Sequence, residues 1–350
     1  MIYSFIFIPD MIPRSLLRSS VSYSSSLSAL RSYSSVQRRE LTPRRALMYV
    51  PGSDERKLAK IPQLGADCIC LDMEDGVSYL SKGSARSNIR KILDGELSID
   101  FGRSEKSVRF NDASSGLLEE DVEVLFSGKL KSLPSSVQLP KVNDTEAVSW
   151  FGELIKSRLK NKELIGANGR KMGLVFFVES ALALINLGDI VKGILSSPSQ
   201  ESPFVPEAIV FGSDDYVADI GATRTQGAGE LLYARQKVVA VAKAFGLQAI
   251  DLVHINYKDI DGLAAQSVEG AQMGFTGKQV IHPGQISTVH SSFAPSEEKA
   301  RWAEELIVGF REHESSGKGA FTFRGNMIDM PLVLQAQNIL DMHMSIHSLK

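Results

Sequence analysis

The sequence predicts an α/β protein, a (β/α)8 TIM barrel with a C-terminal helical extension. Three observations predict it. Short apolar runs alternate with longer amphipathic stretches from Ala46 onward, there are eight such runs, and the first is not followed by a dinucleotide-type glycine loop. The runs are "ALMYV", "CICLDM", "SVRF", "SVQLPKV", "GLVFFVE", "AIVFG", "AIDLVHI" and "KQVI", starting about 20 to 40 residues apart. Each gap has room for one helix and its loops, as a parallel crossover requires. Eight such repeats are what the barrel demands. A doubly wound open sheet is the competing architecture. It carries G-x-G-x-x-G after its first strand, and "YVPGSDERK" does not supply it.

Taken in order, residues 1–40 stand apart from the rest. From Met11 to Arg39 there are five arginines, eleven serines and no acidic residue. That composition is expected of a mitochondrial transit peptide followed by a disordered N-terminus, with cleavage near Tyr33–Ser34. A disordered basic tail and a plastid address are the alternatives. Residues 44–290 are assigned to the barrel as catalytic domain. Within it "DTEAVSWFGELIKSRL" has helical periodicity, and "GELLYARQKVVAVAKAFG" ends on a glycine suited to a C-cap. Residues 291–350 form the extension, a lid able to cover a barrel mouth. It opens with "PSEEKARWAEELIVGFREH", a helix with a partial capping box at Ser296. A glycine-punctuated loop, "SSGKGAFTFRGNMIDMP", and a Met-rich helix from Pro331 follow.

A formal net charge of −2 argues against a nucleic-acid or membrane-surface partner, and no stretch has the ~20 apolar residues of a membrane helix. Cys68 and Cys70 are too few for a disulfide framework. Two apart in one strand, they point to one face and read as small buried hydrophobes in a reduced compartment.

Catalytic groups of such barrels cluster at the C-terminal strand ends. Those ends carry Asp72, Glu74 and Asp75 on the second strand, Arg109 and Asn111 on the third, and Lys141 on the fourth. Glu179 ends the fifth, Asp214 and Asp215 the sixth, and His282 the eighth. Singly, each is equally a solvated loop charge; together they are costly to place on one rim without partners. Glu179 and Asp215 exit adjacent strands, so their carboxylates can converge. Two hard oxygen ligands completed by water and substrate oxygens describe Mg2+. Zinc would want Cys or His nearby, and the six histidines show no ligand spacing except His343 and His347 at i, i+4, which spacing alone makes surface decoration. Arg109 is placed to meet an anionic or carbonyl oxygen of the substrate. Tyr49 ends the first strand, with Arg56 and Lys60 one helical turn apart beyond it. That spacing suits a phosphate-bearing ligand or, equally, a solvated helix face.

The segments "RRALMYVPGSDERK", "CICLDMEDGV", "SVRFND", "QLPKV", "FFVESALALINL", "VFGSDDYVADIGA", "GKQVIHPGQI" and "GAFTFRGNMIDMP" resemble the citrate lyase β-subunit-like proteins of the HpcH/HpaI-type aldolase superfamily. The resemblance runs from about Arg44 to about residue 345. It implies a homotrimer with Mg2+ as cofactor. It also implies cleavage of the acyl-CoA substrate (3S)-citramalyl-CoA to acetyl-CoA and pyruvate through a metal-stabilised enolate, with malate synthase-type transferase side activity. Glu179 and Asp215 match the family's metal ligands. Tyr49, Arg56, Lys60, Arg109, Ile281 and His282 match its substrate and CoA contacts, and Arg109 also has a catalytic part. Asp329 matches an acid–base aspartate that the extension presents to an active site, typically the adjacent subunit's. Asp214 departs from the family, which often has Glu before the metal aspartate, and Arg56 stands where Lys is also seen. An aldolase of free 2-oxo acids without CoA and a non-catalytic CoA-binding relative are the alternatives. A carrier-bound citrate lyase subunit is weighed against by the leader.

Overall fold

The computed structural model describes residues 42–128, 130–159, 170–196, 202–315 and 321–347. The expected leader, with its cleavage site, lies outside the described residues. Strands β1 (Ala46–Pro51), β2 (Cys68–Asp72), β3 (Glu105–Arg109), β4 (Ser136–Leu139), β5 (Met172–Val178), β6 (Phe204–Phe211), β7 (Gln248–Asp251) and β8 (Gly277–Val280) follow in chain order around a closed barrel. All pairs are parallel, and the seam joins Ala46 to Lys278 and Met48 to Val280. All eight apolar runs are therefore strands, as expected.

Helices fill the gaps: α1 (Glu55–Leu58), α2 (Lys82–Asp94), α3 (Leu118–Phe126), α4 (Thr145–Leu159) and α5 (Ala181–Ser196). They continue with α6 (Ser213–Asp219), α7 (Leu232–Ala244), α8 (Ile260–Met273) and α9 (Ile286–Phe293). The helix expected from "DTEAVSWFGELIKSRL" is α4, and α7 ends just before Gly246. On α5, Ala183, Leu184, Leu187, Ile190, Val191 and Ile194 are buried, an i, i+3, i+4, i+7 stripe that packs on the barrel. Deleting one of those leucines to Ala costs ~2–5 kcal/mol.

Every residue of β5 is buried, the mark of a strand covered on both faces. Alternation divides the core. Leu47, Cys68, Cys70, Val175, Phe177, Ala208, Val210 and Ile250 form a cluster inside the barrel, with Tyr49 packed on it. Met48, Ile69, Leu71, Val108, Leu174, Phe176 and Ile209 face the helices. Both cysteines are free, buried and on the inner face, as expected from their spacing. Near the N-terminal strand ends Arg44 binds Glu105 through two bonds of 2.6 Å and also pairs with Glu207. Above it the Ser136 hydroxyl donates to Ser107 Oγ at 2.8 Å and Gln138 Nε2 donates to the same oxygen at 2.9 Å.

The extension contains α10 (Glu297–Ser315), β9 (Phe321–Phe323), β10 (Asn326–Ile328) and α11 (Met330–His347). Ser296 Oγ accepts from Lys299 N at 3.2 Å, the single bond expected of a partial capping box. The expected glycine-punctuated loop is in part a β-hairpin, β9 pairing antiparallel with β10. Arg324 and Gly325 both take positive φ, 49° and 83°, the two-residue turn whose twist suits a hairpin. Alternation in "FTFRGNMI" around Arg-Gly is the signal passed over. Among the described residues no helix is long and apolar enough to cross a membrane.

Candidate metal centre at the barrel mouth

Inward parity continues to the strand ends. Tyr49, Asp72, Arg109 and Glu179 lie two residues beyond Leu47, Cys70, Ser107 and Phe177, so they top the barrel interior. Register then sets Arg109 directly opposite Asp72. Arg109 donates from Nε to Asp72 Oδ1 at 2.7 Å and from Nη2 to Oδ2 at 2.8 Å. The same two oxygens accept the backbone N–H of Glu74 and of Gly76, each at 2.9 Å. Burial works against ionisation of Asp72, yet the Arg109 guanidinium holds its carboxyl below the ordinary range.

Two groups that received no role from sequence extend this pair into a chain. Glu74 lies 2.8 Å from Arg109 Nη1 and 2.8 Å from Lys141 Nζ, and is 3% exposed. Burial pushes its carboxyl up, with Asp75 adding to the rise. Burial opposes the charge on Lys141 as well, but its hydrogen bond to Glu74 keeps the ammonium above its usual range. Lys141 occupies the left-handed region at φ 52°, a conformation costing ~1–2 kcal/mol for a residue with a side chain. In that conformation its backbone N–H donates to Glu179 Oε2 at 2.9 Å while Nζ reaches Glu74. Glu74 was visible as a rim acid. Its parity, matching Cys68, Cys70 and Asp72, is the signal that it turns inward.

Arg109 thus enters the site with two of its five N–H groups donated to Asp72 and with Nη1 in an ion pair with Glu74. Its guanidinium lies 4.5 Å from the Tyr49 ring centre, a cation–π contact that fixes its plane. The Tyr49 hydroxyl donates to Gln279 Oε1 at 2.9 Å, and Gln279 Nε2 donates to the Phe211 and Asp251 carbonyls. Burial pushes the Tyr49 phenol up, so it stays protonated.

Glu179 is 6% exposed and its carboxyl is pushed up to about 8, first by burial and then by the charges of Glu74 and Asp215. Asp215, in the first turn of α6, is likewise raised by burial, with Glu74 adding and Lys141 opposing. Gly212, the residue before α6, allows the approach. A Cβ there would sit 2.3 Å from Glu179 Cγ, so only glycine lets the chain pass against that side chain. The pair therefore comprises two hard oxygen donors, Glu179 buried and Asp215 exposed, whose mutual charge favours neutrality. A divalent cation between them reverses that preference, and carboxylate oxygens suit Mg2+. The donor set fits the ion expected from sequence.

The remaining expected residues lie around the mouth or beyond it. Arg56 on α1 and Lys60 just past it are exposed, and neither side chain has an ion-pair partner among the described residues. Ile281 and His282 follow β8, their backbone N–H groups both donating to Gln285 Oε1 at 3.1 and 3.2 Å. His282 stacks on Tyr257 with ring centres 4.6 Å apart. Asp214 is half exposed and 3.7 Å from Arg224. Asp329 is exposed and caps α11, its Oδ1 accepting Leu332 N at 3.1 Å. Among the described residues no hydrogen bond or ion pair joins Asp329 to the mouth carboxylates.

The sequence profile described as HpcH/HpaI aldolase/citrate lyase matches residues 45–283. The citramalyl-CoA lyase, mitochondrial, of Homo sapiens is 51% identical over 314 residues, covering 90% of this chain and 89% of that protein. The citrate lyase subunit beta of Leuconostoc mesenteroides is 30% identical over 300 residues, 85% of this chain and 92% of that one. Among solved structures, the protein CitE from Mycobacterium tuberculosis in complex with magnesium, acetoacetate and coenzyme A superposes with a TM-score of 0.65 at 26% identity. That match covers 86% of this chain and 98% of the other.

Proposed function

The chain belongs to the HpcH/HpaI aldolase/citrate lyase family, and from that premise we propose that it is a Mg2+-dependent carbon–carbon lyase cleaving (3S)-citramalyl-CoA to acetyl-CoA and pyruvate. One observation carries the proposal: Glu179 and Asp215 share a mouth with an arginine that Asp72 and Glu74 hold in place. The relative in Homo sapiens supports the substrate, and the Mycobacterium tuberculosis complex with magnesium and coenzyme A supports Mg2+ and a CoA-bearing ligand.

The reaction breaks the bond between the hydroxyl-bearing carbon and the methylene next to the thioester. The hydroxyl proton leaves, the carbinol becomes the keto group of pyruvate, and the bond's electron pair passes to the methylene as a thioester enolate. Protonation of that carbon gives acetyl-CoA. Glu179 and Asp215 would hold the Mg2+, which when bound would supply Lewis-acid stabilisation of negative charge on substrate oxygens. Arg109 donates N–H groups that Asp72 does not engage to developing oxyanion charge, a contribution worth ~3–4 kcal/mol when one such donor is removed. Asp72 and Glu74 hold the guanidinium in place, so it reorganises little as charge develops. Tyr49 covers its face and limits water. Asp329 is assigned at least one of the two proton transfers. Arg56 and Lys60 are assigned to the CoA phosphates, and Ile281 and His282 to the rest of the thioester arm.

Asp329 is presented to a neighbour's mouth in a homotrimer. Its exposure supports this, together with the exposed apolar residues Met327, Met330 and Leu334 beside it. Condensation of acetyl-CoA with 2-oxo acids, a malate synthase-type transferase activity, follows from the same enolate. Residues 1–40 are assigned as transit peptide and the matrix as compartment, supported by the Arg- and Ser-rich leader and by the mitochondrial relatives.

The test is pyruvate release from citramalyl-CoA, with malyl-CoA, citryl-CoA and a CoA-free 2-oxo-acid aldol alongside, each with Mg2+ and with excess chelator. Release from citramalyl-CoA that stops on chelation is expected. Equal cleavage of the CoA-free aldol, or turnover that survives chelation, overturns the proposal.

A further inference from the structure

The C-terminal extension brings together three metal-ligating side chains that the barrel chemistry does not use. His343 and His347 stand one turn apart near the end of α11, and Glu297 lies in the first turn of α10. His343 Nε2 is 4.0 Å from Glu297 Oε2, and His347 Nε2 is 3.9 Å from Glu297 Oε1. One donor atom from each residue falls within 4.8 Å of the other two. The imidazole rings lie 4.2 Å apart, centre to centre.

A second observation fixes which nitrogen points inward. His347 Nδ1 is 2.7 Å from the His343 carbonyl oxygen. A carbonyl only accepts, so Nδ1 carries the hydrogen, and in the neutral ring Nε2 is left as a bare lone pair directed at a carboxylate. Two acceptors 3.9 Å apart repel unless a proton or a metal cation stands between them. A histidine whose other ring nitrogen donates to a backbone carbonyl is also the arrangement that orients metal-ligating imidazoles.

We propose that Glu297, His343 and His347 bind a zinc-type transition-metal cation that clamps the start of α10 to the end of α11. Two imidazole nitrogens and one carboxylate oxygen select a borderline cation such as Zn2+ over Mg2+, with water as fourth ligand. Tetrahedral Zn2+ at ~2.0–2.1 Å sets its ligands about 3.3 Å apart. The 3.9–4.0 Å separations close to that value by rotation of Glu297, whose side chain is 77% exposed. At ~1.5 Å per residue, the histidines lie roughly 21 and 27 Å along α11 from Asp329. The clamp therefore stabilises the extension and takes no part in bond cleavage. It is independent of the barrel-mouth proposal.

The test uses the full chain in millimolar Mg2+, with Glu179→Gln as a second background lacking the mouth ligand. We expect one Zn2+ per chain in both, measured by competition with a chromophoric chelator, a visible Co2+ spectrum of low-coordinate nitrogen–oxygen ligation, and a Zn2+-dependent rise in melting temperature. His343→Ala and His347→Gln each weaken Zn2+ at least tenfold and abolish the rise. Glu297→Gln, on a side chain too exposed to affect folding, weakens binding in the same direction. Zn2+ affinity and melting shift equal in the parent and all three variants overturn the site. So does a pH-dependent melting shift with no metal bound, the behaviour of a protonated histidine–glutamate pair alone.

Discussion

Replacing Glu179 with glutamine separates the electrostatic cost of the metal centre from its packing. Glutamine has nearly the same volume and keeps an oxygen for the Lys141 N–H, so the change removes little besides the charge. The carboxyl is raised from 4.5 to about 8 in the folded chain. A group raised in this way stabilises the fold fully below its unfolded value of 4.5 and loses that contribution as pH climbs through about 8. At about 1.4 kcal/mol per unit, the loss between about pH 6 and about pH 8 is ~2–3 kcal/mol. For a domain of this size that corresponds to roughly 5 °C in melting temperature. The assay is thermal unfolding of metal-free protein across that range. The parent's melting temperature is expected to fall by this amount and the Glu179→Gln chain's by less than half of it. Saturating Mg2+ flattens the parent's curve and leaves the variant's unchanged. Equal pH slopes in the two chains, with and without Mg2+, refute the reasoning.

Gly212→Ala drives a methyl into Glu179 and is expected to weaken Mg2+ by about tenfold or more with the fold intact, read by calorimetric titration. Arg109→Lys cannot span Asp72 and Glu74 while also donating to substrate. Turnover is expected to drop ~100-fold or more while Mg2+ affinity changes little, measured as kcat against Kd. Lys141→Met removes the cation that opposes the upward shift of Asp215. The acidic limb of the kcat/KM profile then moves to higher pH, and an unmoved limb counts against the role given to Lys141. Asp329→Asn is expected to abolish turnover with Mg2+ and thioester binding intact. Mixed with Glu179→Gln protein it regains activity if the two residues act across subunits, and inactive mixtures exclude that arrangement.

The barrel was legible because parallel strands buried on both faces leave continuous apolar runs, as in "GLVFFVE", and because helical spacing fills the gaps between them. The acids of the mouth were legible for the same reason: charge stands out at the end of an apolar run. What stayed hidden depends on contacts across the sheet. The engagement of Arg109 by Asp72 comes from the β2–β3 register, and its tie to Glu74 from the turn after Asp72, neither of which shows in a linear pattern. The left-handed backbone of Lys141 has no composition signal at all. Glu297 and the histidine pair lie far apart in the chain, so their meeting required α10 and α11 to be packed.

The seam pairing Ala46 with Lys278 has a consequence for how the molecule comes into being. The first strand out is sealed by the last, so barrel closure waits for nearly the whole polypeptide. Until then β1 and whichever strand has been added most recently are raw edges able to recruit another chain. Such high contact order makes for slow maturation, during which a nascent or translocating chain depends on protection from aggregation. Truncation ahead of β8 leaves that vulnerability permanent even though every acid of the barrel mouth has already been made.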